Sequence, residues 1–197
     1  MSPRQSQRHR ATTETEITLA LALDGSGKAD IATGVGFFDH MLTAFARHSG
    51  FDLTIEARGD LHIDAHLLVE DVGIVLGVAL REALGDKRGI TRFGQALIPM
   101  DEALAQAAVD ISGRAFLAWN VEFERESLGD MDTQLIEEFV RALAFNALIT
   151  LHVTRLAGVN AHHVAESAFK AVARALRMAA SIDGAGRNAI PSTKGVL

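Results

Sequence analysis

The segment Ala161-His162-His163-Val164-Ala165-Glu166 recurs in altered form as Ala65-His66-Leu67-Leu68-Val69-Glu70, and this duplication limits the chain to folds that can be built twice. On a helix, His162 and Glu166 are four residues apart and share a face, as do His66 and Glu70, so each pair can grip one cation. His163 lies about 100° around the helix from His162 and therefore points to a second metal. Leu67 stands at the matching position of the first copy and can bind nothing.

The repeat extends beyond these helices. Residues 40–48 align with 138–146 at an offset of 98, and 65–70 with 161–166 at an offset of 96. If His40 serves the metal of one helix, Glu138 holds the equivalent place in the other copy. The candidate ligands are His40, His66, Glu70, Glu138, His162, His163 and Glu166, too many for one ion and suited to two sites, one of them short at Leu67. His152, within Thr150-Leu151-His152-Val153, is a further ligand or a donor that orients one. His48 and His62 read as structural.

Composition narrows the metal and the partners. The chain has 197 residues, 48% hydrophobic and 22% charged, enough for one sizeable core or two small fused halves. With no cysteine, any metal must be held by imidazole and carboxylate, which favours zinc, manganese, iron or nickel. A net charge of −6 without a basic cluster beyond the N-terminus gives no footprint for nucleic acid. The first ten residues carry Arg4, Arg8, His9 and Arg10 but no apolar stretch. No secretory signal or membrane span is expected, and the protein is expected in the cytoplasm.

Hydrophobic periodicity predicts the elements. Strands are expected at Glu16 to Leu23 and Lys28 to Thr33, joined as a hairpin at Asp24-Gly25-Ser26-Gly27. A helix should begin near Phe37, a strand should cover residues 51–58, and a long helix should run from His66 to Leu84, ending at Gly85. That helix is apolar nearly all round, as if buried against a sheet and a neighbouring subunit. In the second half, strands are expected near Ala103 to Asp110 and Ala115 to Phe123, then a helix from Thr133 to Asn146, a strand from Ile149 to Leu156 and a helix from His162 to Ala180. The fold class is α+β: a duplicated β-β-α-β-α unit, each copy a four-stranded sheet with helices on one face. Residues 1–10 are assigned to an N-terminal tail, 11–92 to the first half and 93–197 to the second.

Several further motifs carry a family resemblance. Gly34-Val35-Gly36-Phe37-Phe38-Asp39-His40-Met41-Leu42, Gly59-Asp60-Leu61-His62, Pro99-Met100-Asp101-Glu102-Ala103-Leu104, Ser112-Gly113-Arg114, His162-His163 with Glu166, Phe169-Lys170 and Pro191-Ser192-Thr193-Lys194-Gly195 together resemble imidazoleglycerol-phosphate dehydratase, in order and over nearly everything after the first ten residues. The resemblance implies a fold similar to the second domain of ribosomal protein S5, two manganese ions per active site with ligands from adjacent subunits, and assembly of trimers into a 24-subunit shell. It also implies dehydration of D-erythro-imidazoleglycerol phosphate to imidazoleacetol phosphate in histidine biosynthesis. The proton to be removed lies next to no carbonyl, so the imidazole ring must serve as the electron sink, through an imidazolate and then a diazafulvene-like intermediate.

The same resemblance implies roles for individual residues. Glu14, in Thr13-Glu14-Thr15, is a candidate acid or base beside Glu166 and His66, with Glu16 two residues on expected on the same strand face. Arg92, Arg114, Ser192, Thr193 and Lys194 are implied around the phosphate, with Lys170 and Asp101 near the substrate.

Departures from the family pattern bear on activity. Where the family usually reads Asp-Asp-His-His-Thr-Val-Glu-Asp, this chain reads Asp64-Ala65-His66-Leu67-Leu68-Val69-Glu70-Asp71. Val78 replaces a common glutamine and Leu148 a frequent glycine. Losing an imidazole at Leu67 should weaken the metal served by His40, His162 and Glu166, while the set His66, Glu70, Glu138 and His163 stays whole. Leu67, Leu68 and Val78 should add apolar surface to one helix. Three function classes follow: an active dehydratase with one weakened metal, a non-catalytic trimer or shell on the same fold, and an unrelated di-metal hydrolase, for which the His-Glu-x-x-His motif is missing.

Overall fold

The computed structural model describes residues 3–184, 189–195 and 197. In the first half, β2 (Thr15–Ala22) alternates strictly, with Thr15, Ile17, Leu19 and Leu21 buried and Glu16 and Thr18 exposed, as a strand with one covered face requires. β1 (Gln5–Ala11) pairs antiparallel along its whole length. Residues 5–10, assigned from sequence to a tail, are thus an edge strand. The segment has no apolar alternation to reveal it, because backbone pairing and charge hold it in place. Arg8 and Ser6 bind Glu82, Arg10 binds Asp71 at 2.9 Å, and Arg4 pairs with Asp24.

The hairpin expected at residues 24–27 does not form. β3 (Ala29–Ala32) pairs parallel with β4 (Asp52–Gly59), which inserts between it and β2. The reason is local: the Asp52 carboxylate accepts from the backbone N–H of Ser26 and Lys28 at 2.8 and 2.9 Å, pinning the turn to the head of β4. Between β3 and β4 runs α1 (Gly36–Ser49), and α2 (His66–Leu84) follows β4. The first sheet has the order β1-β2-β4-β3.

The second half repeats this topology. β5 (Phe93–Met100), unmarked in the sequence reading, pairs with β6 (Ala103–Asp110). β7 (Phe116–Asn120) lies parallel to β10 (Thr150–Ala157), and α3 (Gln134–Ala147) and α4 (Ala161–Ala180) complete the copy. The order β5-β6-β10-β7 matches the first sheet. A small hairpin, β8 (Ser127–Leu128) with β9 (Met131–Asp132), precedes α3. The duplicated β-β-α-β-α unit is present in both halves, each preceded by one additional edge strand.

The four helices form a layer between the two sheets. α1 and α2 lie on the first sheet, α3 and α4 on the second, and across the middle α1 packs on α4 and α2 on α3. This accounts for the apolar girth of α2 inside a single chain: one side meets β1 and β2, the other meets α3. The α2–α3 crossing is close because Gly73 and Gly77 lie one turn apart. A Cβ on Gly73 would stand 2.7 Å from the Phe139 carbonyl oxygen, and one on Gly77 would stand 2.7 Å from that of Leu143. On the other side, α4 packs on β5 and β6, and Ala103, Ala105 and Ala107 of β6 are all buried.

Two sequence departures acquire structural meaning here. Leu68 is 1% exposed and belongs to the core, so the expected apolar surface on α2 reduces to exposed Leu67 and half-buried Val78. Leu148 sits at φ 54°, ψ 49°, capping α3, where its counterpart Gly50 caps α1 at φ 75°. A left-handed conformation costs a branched side chain roughly 1–2 kcal/mol.

Leu148→Gly should therefore raise stability by about 0.5–1 kcal/mol, after allowance for glycine's larger unfolded-state entropy. Urea denaturation would measure it, and a lowered midpoint would overturn the strain argument. Gly77→Ala should lower stability by about 1–2 kcal/mol despite alanine's higher helix propensity, because the obstructing atoms, the Leu143 oxygen, the Asn146 Cβ and the Ala147 nitrogen, cannot rotate aside.

Candidate metal and anion site

The starts of α1 and α4 meet at one end of the helix layer. Asn160 caps α4, its side-chain oxygen accepting from the backbone N–H of His162 at 3.0 Å and of His163 at 3.4 Å. This exposes both imidazoles on the first turn. The start of α1 is capped from the other half of the molecule: Asp130, in the turn between β8 and β9, accepts from the N–H groups of Gly36 at 2.8 Å and Phe37 at 3.3 Å. Asp39 accepts from the Thr33 hydroxyl at 2.6 Å, so the acidic residue beside His40 orders the approach to the helix.

His40, His162 and Glu166 converge. Their nearest ligand atoms all lie within 4.8 Å of one another. Glu166 Oε2 is 3.3 Å from His40 Nε2 and 3.2 Å from His162 Nε2. Its other oxygen, Oε1, takes a 2.7 Å ion pair from Lys170 Nζ, one turn further along α4. Phe37 stands edge-on to the His162 ring at 5.4 Å. Burial alone would raise the Glu166 carboxyl, but the Lys170 hydrogen bond and charge, with help from His40, outweigh it and hold the group below its ordinary value of 4.5. Two imidazoles and an ionised carboxylate, with ligand atoms within 4.8 Å of one another, suit a divalent first-row cation.

The other predicted ligands are placed differently. His163 turns to the β5–β6 turn, where Nδ1 is 2.7 Å from Glu102 Oε2 and Nε2 is 3.7 Å from Asp101 Oδ2. Hydrogen bonding from His163 and from the Asn160 N–H pulls the Glu102 carboxyl down to about 2, and Glu102 in turn raises His163. Among the described residues, no three of His66, Glu70, Glu138 and His163 bring ligand atoms within 4.8 Å of each other. The expected second set does not close within one chain, because α2 packs on α3 while α4 packs on α1. His152 is exposed on the outer face of β10, its ring 5.8 Å from that of Phe116. Leu67 is 43% exposed on the first turn of α2. Glu14 lies exposed in the turn between β1 and β2, its N–H bonded to the Thr12 hydroxyl. It does not share a strand face with Glu16, because β2 begins only at Thr15.

Arg92 and Arg114 do meet, at Asp110. Arg92 Nε and Nη2 reach its two carboxylate oxygens at 2.8 and 3.2 Å, and Arg114 Nη2 lies 3.7 Å from one of them. Arg92, at φ 72°, also donates from Nη1 to the Pro191 carbonyl at 2.8 Å, which ties the segment carrying Ser192, Thr193 and Lys194 to the second sheet. Within that segment the Lys194 N–H donates to the Ser192 hydroxyl at 3.2 Å. Lys170 is with Glu166 rather than with these arginines. Neither Glu102 nor Asp110 is legible as a functional residue in the sequence: Glu102 has no ligand spacing to mark it, and nothing separates Asp110 from any strand-end acid.

The fold and the cluster define a duplicated α+β protein with a histidine–carboxylate group that could hold a cation between helices of opposite halves. Comparison with known proteins sharpens this. The imidazoleglycerol-phosphate dehydratase family profile matches residues 33–176. The chain is 66% identical over 194 residues to imidazoleglycerol-phosphate dehydratase of Gluconobacter oxydans (strain 621H), covering 98% of each. It is 68% identical over 188 residues to that of Acidiphilium cryptum (strain JF-5), covering 95% of this chain and 96% of the relative. Solved structures of imidazoleglycerol-phosphate dehydratase from Staphylococcus aureus and, in complex with (S)-C348, from Pyrococcus furiosus each superpose with a TM-score of 0.83. They are 43% and 41% identical, covering 90% and 96% of this chain and 99% and 100% of theirs. The chain belongs to the imidazoleglycerol-phosphate dehydratase family, lyases of histidine biosynthesis. Among the described residues no helix is long and apolar enough to cross a membrane.

The Glu166 environment gives a pH prediction for the metal-free protein. A carboxyl whose folded pKa is depressed contributes stability that is present above its unfolded value and lost as pH falls through the folded one. In Lys170→Met, burial acts without its main opponent, so the Glu166 pKa should rise and the acid limb of stability should move to higher pH. Urea midpoints between about pH 3 and 7 report this, and an unmoved acid limb would count against the Lys170 assignment.

Proposed function

We propose that this protein dehydrates D-erythro-imidazoleglycerol phosphate to imidazoleacetol phosphate in the cytoplasm, with two manganese ions per active site. The observation that carries the reading is the convergence of His40, His162 and Glu166, supported by family membership. His40, His162 and Glu166 hold one cation, and His66, Glu70, Glu138 and His163, with His152, supply ligands to the other across neighbouring subunits of a trimer-based, 24-subunit shell. When bound, the metals supply Lewis acidity at the two nitrogens of the substrate ring.

The remaining work falls to the chain's own groups. Lys170 neutralises one oxygen of Glu166 and leaves the other directed at the cluster. Glu14, Glu166 and His66 are the candidate proton donors and acceptors. Arg92 and Arg114, preset by Asp110, offer planar donors to the phosphate, and Ser192, Thr193 and Lys194 add hydroxyls and an ammonium. Asp101, whose carboxylate lies 3.7 Å from His163 Nε2, contacts the substrate.

Exposed Leu67 favours a second reading, a non-catalytic trimer or shell of the same fold, since an alkyl group stands where an imidazole is expected. Comparing the parent with Leu67→His separates the two. On the primary reading the parent binds Mn2+ and turns over imidazoleglycerol phosphate, while Leu67→His binds the more weakly held ion about tenfold or more tightly and turns over faster. Elemental analysis, particle mass and turnover check this. A parent that takes up no Mn2+ and shows no turnover would overturn the dehydratase reading. A parent already holding two tight ions and matching the histidine variant would overturn the assignment of Leu67.

A further inference from the structure

We infer that Glu102 is the positioning residue that fixes His163 as a metal donor, an inference that rests on the metal reading above. Its carboxylate makes two directed contacts. Oε1 accepts from the backbone N–H of Asn160 at 2.9 Å, and Oε2 meets His163 Nδ1 at 2.7 Å. One side chain thus joins the turn between β5 and β6 to both the cap and the first turn of α4.

The chemistry of the pair determines the tautomer. An ionised carboxylate can only accept, so the proton of this hydrogen bond belongs to His163 Nδ1. Nε2 is then the lone-pair nitrogen of the neutral ring, the atom a cation requires. Asp101 stands 3.7 Å from it and is 79% exposed, beyond hydrogen-bond reach. A carboxylate behind an imidazole also raises its basicity and restricts its rotation, and losing such a partner typically costs about 10–100-fold in metal affinity.

The placement of Glu102 is built into the turn. Asp101 occupies the left-handed region at φ 47°, which reverses the chain between β5 and β6. The strained residue and the carboxylate are adjacent, so the turn holds Glu102 at the end of β6 opposite Asn160. Asn160, whose N–H anchors Oε1, also caps the His162 and His163 amides. Ring orientation and helix start are therefore set by one connected group.

The test is Mn2+ titration of the whole protein by calorimetry, with melting curves of metal-free and metal-loaded samples, for the parent, Glu102→Ala, Glu102→Gln, His163→Ala and the Glu102→Ala/His163→Ala double variant. The expected result is a dissociation constant for the His163-dependent ion raised about 10–100-fold in Glu102→Ala and by a smaller factor in Glu102→Gln. Glu102→Gln keeps the shape and one acceptor and guards against loss of the fold. Once His163 is gone, removing Glu102 should change Mn2+ affinity no further. A purely structural role would instead lower the metal-free melting temperature and leave the dissociation constant unchanged, which would overturn the inference while leaving the metal reading intact. A parent that takes up no Mn2+ would overturn both.

Discussion

The rest of the structure depends on how closely two pairs of helices can approach inside a double layer of sheet. Gly73 and Gly77 let α2 lie against the carbonyls of α3, and alanines let α4 lie on β6. Protein interiors tolerate few voids and little overlap. With these small residues in place, the layer brings the start of α1 in one half to the start of α4 in the other. His40 and Glu166, 126 residues apart in sequence, stand 3.3 Å apart there.

Electrostatics at the site follow from that closeness. Glu166 is largely buried and would resist ionisation if isolated. Lys170 on the same helix face and His40 on the neighbouring helix reverse that tendency. A similar arrangement operates at the C-terminal end of β6, where Asp110 gathers Arg92 and Arg114 that would otherwise repel. In both places one acid organises several basic groups, His40, His162 and Lys170 at Glu166 and the two arginines at Asp110. The chain thereby orders its cations and donors before any ligand arrives, which lowers the entropy lost on binding.

The departures from the family pattern divide by their surroundings. Leu68 is absorbed into the core and is ordinary hydrophobic packing. Leu148 is accommodated in a backbone conformation that suits glycine, at a local cost in stability. Leu67 is neither buried nor strained, so its effect falls on whatever meets the first turn of α2 from outside the chain.

Much of this was legible in the sequence. The boundaries of α2 follow from its apolar run and from Gly85, the duplication follows from the two offsets, and the pairing of His162 with Glu166 follows from their spacing on one helix face, while aligning the copies makes His40 a candidate ligand without fixing its partners. β1 and β5 left no periodic signal: one is charged and held by ion pairs, and the other is an edge strand with an interrupted pattern. The pairing of β3 with β4 was equally hidden, since register depends on where the Asp52 side chain finds its donors. His163 shared its motif with His162, yet their partners lie on different elements. Residue type and spacing determined which groups could bind a cation and on which helix face they stand. Only the tertiary structure decided which of them meet, because that depends on contacts between residues far apart in sequence, set by backbone approach and packing.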